Sequence, residues 1–260
     1  MTLIGFSTGA VALGDFERAL GLLGETSMTA VELSALRLSE LPTLVRALPR
    51  LDLQKFQYVS VHAPSRFSRD EEDGVVELLQ SVPVGFPIVV HPDTIHDSQK
   101  WRQFGSQLSI ENMDRRKYVG RTAEEMSHWF DLLPEARLCL DLAHVHQFDR
   151  TMTEAYRFLK KFKEKIRQLH VSELDSTGHH YPLSFGSIRA FREISSMISP
   201  DVAIILESLS PMSWANKDAQ IAWIEQEVHR AFAALGRTHE EASSPDSPSQ
   251  NPLLHQASTA

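Results

Sequence analysis

The chain has 260 residues, enough for one large domain, and its 42% hydrophobic and 23% charged content is the ordinary balance of a globular protein. A formal net charge of −8 argues against a broad nucleic-acid-binding surface. A single cysteine, Cys139, excludes an intrachain disulfide and fits a reducing cytoplasm, while the absence of a basic segment followed by a long apolar run, and of any stretch of about 18 apolar residues, argues against a signal peptide and a membrane span.

In chain order, residues 3–6 read as a strand and 15–23 as a helix. A second strand over 30–33 is followed by a helix over 39–48, with Pro42 tolerated in its first turn. A third strand spans 58–62 and a short helix 75–79. The fourth strand, 87–91, is stopped by Pro92, and a short helix follows over 98–104. The fifth strand is 108–111. Thr122 and Glu125 form a capping-box pattern that opens a helix to 133. The sixth strand, Leu138-Cys139-Leu140-Asp141, ends in an acid with His144 three residues on. Thr151 and Glu154 repeat the capping pattern for a helix to about 165. A seventh strand over 166–171, a helix capped by Ser187 to 198, an eighth strand over 202–206 and a final helix over 218–235 complete the set.

Strands alternating with helices indicate parallel βαβ units, and eight such units indicate an α/β chain folded as a single-domain (β/α)8 TIM barrel over residues 1–236. The Gly5-x3-Gly9 spacing is not the glycine fingerprint of an open dinucleotide-binding sheet. From residue 237 to 260 the chain is rich in Ser, Pro, Gln, Asn and charge, which predicts a disordered C-terminal tail.

In a barrel of this class the C-terminal strand ends meet at one mouth. The residues that arrive there are Glu32, His62, His91, Glu111, Asp141 with His144, His170 and Glu207. Acids and imidazoles at the ends of apolar runs are costly to bury unless they are paired or hold a metal. One such residue is more often a satisfied structural group than a ligand. Seven successive strands delivering one each are better explained by a shared site. The mixture of carboxylate and imidazole suits Mn, Co, Fe or Zn better than Ca. Cys139 lies one layer deeper and reads as barrel filling, whereas His128, His229, His239 and His255 fall on helical or tail positions.

Six short segments carry a resemblance: Val61-His62-Ala63-Pro64, Val90-His91-Pro92, Ile110-Glu111-Asn112, Leu140-Asp141-x-x-His144, Leu169-His170 and Leu206-Glu207-Ser208. In this order and spacing they resemble the xylose-isomerase-like TIM-barrel superfamily. That group holds sugar and sugar phosphate isomerases and epimerases, and the endonuclease IV type, AP endonuclease family 2. The resemblance implies a shared divalent-metal site at Glu111, Asp141, His170 and Glu207, with Glu111 and Glu207 also moving protons on either face of a sugar. In the endonucleases His62, His91 and Glu111 would hold a further metal, and a third would sit on His144 and an Asp-x-His pair. His180 matches the histidine of that pair, but Gly178 stands where its acid belongs. The arginine that epimerases of this group often carry shortly after the strand-seven histidine is also missing, since Glu173-Leu174-Asp175-Ser176 follow. Arg66, Arg69, Arg115, Arg116 and Lys117 are the basic residues placed to grip a phosphate or carboxylate.

The leading expectation is a metal-dependent isomerase or epimerase acting on a small sugar, sugar phosphate or related polyol. The alternatives are an endonuclease IV-like phosphodiesterase on abasic DNA and a non-catalytic, metal-retaining barrel. A small-molecule substrate is expected rather than nucleic acid, because phosphate-backbone binding draws on many Lys and Arg contacts. No membrane partner is expected, and association into a homo-oligomer stays open.

Overall fold

Short runs rich in Val, Ile and Leu favour strands buried on both faces. In the computed structural model, which describes residues 2–210 and 216–237, these runs form β1 (Ile4–Ser7), β2 (Ala30–Ser34), β3 (Tyr58–His62), β4 (Ile88–Val90), β5 (Leu108–Glu111), β6 (Arg137–Asp141) and β7 (Ile166–Val171). A small antiparallel hairpin of β8 (Glu173–Leu174) and β9 (His180–Tyr181) interrupts the pattern before β10 (Ala203–Leu206) completes it. The eight long strands pair in parallel and close as β1-β2-β3-β4-β5-β6-β7-β10 back to β1. The expected (β/α)8 barrel is therefore the observed one. Among the described residues no helix is long and apolar enough to cross a membrane.

The apolar side chains divide into two unequal cores. Most lie between the outer faces of the strands and the surrounding helices, Phe6, Leu33, Ile110, Trp101 and Phe158 among them. A much smaller group, Ala30, Tyr58, Ala203 and Ile205, fills the lower part of the barrel interior. Because strand side chains alternate in and out, the inward positions above that floor are Glu32 after Ala30, Ser60 and His62 after Tyr58, and His170 after Gln168. Barrel interiors are ordinarily filled by Val, Ile and Leu. Here the middle and upper layers are polar, and all five of these residues are buried. Register sets them side by side: Glu32 is opposite Ser60, Asp141 opposite His170, and His170 opposite Ile205.

Most helix starts follow the expected chemistry. Thr122 accepts the Glu125 N–H at 3.1 Å and opens the helix Ala123–Leu132. Two caps differ. The helix Thr153–Phe162 is not capped by Thr151. Asp149 accepts the N–H groups of Thr151 and Glu154 instead, because Met152 takes a left-handed φ of 57° that turns the chain back over it. Ser184, not Ser187, caps Phe185–Ile194 and accepts the Ser187 N–H at 3.3 Å. A helix that periodicity did not announce, Leu142–Phe148, begins directly at the end of β6. Arg237, assigned to the tail by composition, donates its N–H to the Phe232 carbonyl and its guanidinium to the Ser199 carbonyl. The rest of the expected tail, 238–260, lies outside the described residues.

Candidate metal centre

The centre is assembled by strand ends. Glu111 is the last residue of β5 and Asp141 the last of β6; His170 is the fifth of β7's six residues, and Glu207 follows β10, donating its N–H to the Val171 carbonyl at 3.1 Å. Each of these four offers one ligand atom, and the four atoms lie within 4.8 Å of one another. Asp141 has a second task. Its Oδ1 accepts the His144 N–H at 2.7 Å, which starts the helix Leu142–Phe148 and turns the His144 ring back toward the mouth. A D-x-x-H spacing is what this cap requires.

Glu111 is the hub. Its Oε2 lies 3.1 Å from His62 Nε2 and 3.4 Å from His91 Nε2, and its Oε1 lies 3.3 Å from His144 Nδ1 and 3.5 Å from His170 Nδ1. His62, His91 and Glu111 thus form a second group of metal-capable atoms that shares Glu111 with the first. Glu32 stands below both groups. Its Oε2 accepts from Ser60 Oγ at 3.0 Å and Gln168 Nε2 at 2.8 Å, and lies 3.2 Å from His170 Nε2. Gln168 is in turn held by the Tyr58 hydroxyl at 2.6 Å. His170 Nε2 thus faces Glu32 and, at 2.9 Å, Gln168 Nε2; when Nε2–H is given to Glu32, Nδ1 is left for the centre, the arrangement by which a carboxylate fixes a ligating imidazole. Asn112 braces the neighbouring strand end, donating to the Asp141 carbonyl at 3.0 Å and accepting the Asp141 N–H at 2.7 Å.

The charges in this buried space pull apart. Burial pushes Glu207 up to about 8, helped by the carboxylates of Glu111, Asp141 and Glu32 and opposed by His170. Burial raises Asp141 as well. Glu111 goes the other way: burial works to raise it, but the imidazoles of His170, His91 and His62 outweigh that and hold it well below the usual range. His170 resists charge through burial, yet the surrounding Cys139, Glu207, Glu32 and Glu111 raise it well above an ordinary histidine. Burial drives Cys139 upward, and its Sγ joins Glu111 and His170 in a further group of metal-capable atoms one layer below the first.

Two atoms test whether a cation suits this space. Asp141 Oδ2 and His170 Nδ1 are buried and form no hydrogen bond among the described residues, although His144 Nδ1 lies 3.4 Å from the first and the Glu111 and Glu207 carboxylates 3.5 Å from the second; both belong to the four-residue group. A buried polar atom without a partner costs about 1–3 kcal/mol. A divalent ion bound by the two would remove that cost at both, and a carboxylate-rich set with one or two imidazoles is the donor chemistry of such ions.

At the lip, His180 Nδ1 lies 2.8 Å from Ser172 Oγ and 3.6 Å from Glu207 Oε2, and its ring meets His144 edge-on at 5.9 Å. Gly178 takes a φ of 87°, and a Cβ built there would fall 1.8 Å from Cζ of Arg116. The place of the missing acid is thus filled by a guanidinium. Gly178→Asp should displace Arg116 and strain the turn, lowering stability by about 1 kcal/mol or more in urea melts without adding a metal. A rise in metal count per chain would contradict this.

The structure therefore brings Glu111, Asp141, His170, Glu207, His62, His91, His144 and His180 to one mouth, and sets Glu32 beneath His170. Gln168, Tyr58, Ser60 and Ser172 went unassigned in the sequence. Their signal was the two-residue strand period, which puts Gln168 and Ser172 on the face of His170, and Tyr58 and Ser60 on that of His62.

The profile of a family described as xylose isomerase-like TIM barrel matches residues 98–227, half of the chain. A comparison with curated protein sequences found no match. Among solved structures, 3-keto-D-glucoside 4-epimerase from E. coli is 12% identical, with 87% of this chain and 100% of that one covered at a TM-score of 0.52. Endonuclease IV from Thermus thermophilus is 17% identical, covering 87% and 98% at 0.53. A xylose isomerase-like TIM barrel protein from Mycobacterium smegmatis, in complex with magnesium, is 13% identical, covering 86% and 90% at 0.51. At these identities the likeness concerns the fold.

Proposed function

Since the chain belongs to the xylose isomerase-like TIM barrel family, we propose that it is a divalent-metal-dependent isomerase or epimerase of a small sugar, sugar phosphate or related polyol. The observation that carries this reading is the group of Glu111, Asp141, His170 and Glu207 at the barrel mouth, two of whose buried atoms form no hydrogen bond among the described residues. A divalent ion held by these four would supply Lewis acidity, drawing charge from a carbonyl and acidifying the adjacent C–H. The chain's own residues move the proton. Glu207, whose Oε1 lies 3.5 Å from His170 Nδ1 and whose Oε2 lies 3.6 Å from His180 Nδ1, is the carboxylate assigned to take the proton and return it. Glu111, kept ionised by three imidazoles, is the standing carboxylate partner. The polar floor of Glu32, Gln168 and Tyr58 keeps the His170 ring from turning.

One observation favours a second reading. His62, His91 and Glu111 form a further metal-capable group, which would suit two-metal hydrolysis of a phosphodiester. The net charge of −8 weighs against DNA as its substrate. The test is metal content per chain after purification without chelator or added metal, followed by activity screens. About one Mn, Co or Fe per chain, with turnover of a ketose or sugar phosphate, is expected. Two or three Zn per chain with cleavage of abasic DNA would replace the first reading by the second. A protein that neither carries nor takes up metal would end both.

A further inference from the structure

Arg116 is held as few surface arginines are. Asp114, whose side chain is only 1% exposed, takes its Nε at 3.1 and 3.0 Å and its Nη2, and also accepts the Arg116 backbone N–H at 2.7 Å. The Thr177 carbonyl accepts from Nη1. A guanidinium has five N–H groups in a rigid plane. Three are committed here, which leaves one on each terminal nitrogen. An N–H on each terminal nitrogen is what a guanidinium uses to match the two oxygens of a carboxylate or phosphate. The side chain remains 45% exposed, so it is within reach of a ligand from solvent.

Its position is set by two loops. Asp114 follows β5 and Thr177 follows β8, three residues before His180, whose ring touches Glu207. Gly178 gives the guanidinium its room, since any Cβ there would collide with it. The neighbouring cation does not serve the same end: Lys117 is drawn to Asp93. Asp114 and Asp175 bring carboxylates to this lip, but Asp114 is taken up by Arg116 and the Asp175 carboxylate is turned to the N–H groups of Thr177 and His179. A guanidinium fixed in this way offers an anionic ligand a partner whose position is set before binding.

We propose that Arg116, pinned by Asp114 and Thr177 over Gly178, binds a carboxylate or phosphate group of the substrate at the lip of the metal centre. This rests on the isomerase or epimerase reading and narrows its substrates to acidic ones. The guanidinium occupies the place where a third metal's acid would stand, so the chain keeps positive charge at the lip in side-chain form.

Calorimetric titration of inorganic phosphate and of glycolate into the manganese-loaded protein tests this. The wild type should bind at least one of them, and the tighter of the two identifies the group recognised. Arg116→Gln should weaken that binding at least tenfold, and Arg116→Lys should recover part of it, because charge is kept while the fork is lost. Asp114→Asn, which keeps the arginine but frees it, should weaken binding too and stands in if Arg116→Gln melts early. Equal affinity in wild type and Arg116→Gln, or no binding of either anion by the wild type, overturns the proposal. Manganese uptake is measured on the same samples. Its failure would count against the metal reading, whereas the effect of Arg116→Gln, repeated without metal, still decides the anion site.

Discussion

Glu207→Gln should leave the barrel folded and lower kcat by about a thousandfold or more, since one general acid–base group contributes roughly 10²–10⁴-fold and the same change removes a charged ligand. Gln matches the protonated form of the side chain, and burial already favours that form, with Glu207 raised to about 8. The variant should therefore be no less stable than the metal-free wild type. The pH dependence has a definite sign. Between the unfolded value of 4.5 and about 8 the folded chain binds the proton that the unfolded chain has released, so this group makes stability fall as pH rises through that window. Glu207→Gln should remove its share of that slope, up to about 1.4 kcal/mol per pH unit. Steady-state rates and urea melts at pH 5 and pH 8 read out both effects. Full activity in the variant would mean that the two-glutamate mechanism is wrong.

The residues that end strands were legible because their chemistry contradicts their setting. His62, Glu111 and His170 belong to apolar runs, and a charged or imidazole group there is noticed at once. Eight such runs with alternating helices also give the barrel, since closure follows from the count and from the parallel connections. Two kinds of feature stayed hidden. Gln168, Ser60 and Tyr58 are common strand residues; the strand period gives the face each of them shares, but their meeting around Glu32 is a consequence of barrel closure. Caps set by loop geometry were misplaced for a similar reason. Asp149 could replace Thr151 only because Met152 adopts a positive φ, which no propensity scale assigns to methionine. The clasp of Arg116 by Asp114 and Thr177 joins residues 61 positions apart in the chain, beyond the reach of any local motif.

Stripping the centre of metal should lower the melting temperature and couple binding to protons. A ligand present at about a hundredfold over its dissociation constant stabilises by about 2.7 kcal/mol. For a chain of this size that corresponds to roughly 5–10 °C in Tm. Binding must displace the proton that burial keeps on Glu207 and the one that the surrounding carboxylates hold on His170, so near pH 6.5 uptake should release more than one proton, and apparent affinity should rise with pH through neutrality. Calorimetry in two buffers of different ionisation heat measures the proton count, and melts with and without chelator measure the stability. Asp141→Asn should keep the N-cap to His144, because an amide oxygen can accept that N–H, yet it removes the charge at the buried oxygen that forms no hydrogen bond among the described residues. The metal-free variant should then melt at or above the metal-free wild type while gaining little on metal addition. That combination separates a ligand from a structural carboxylate. Removing a carboxylate whose task was to hold the fold would lower stability in both states by similar amounts, and such a result would reassign Asp141 to the scaffold.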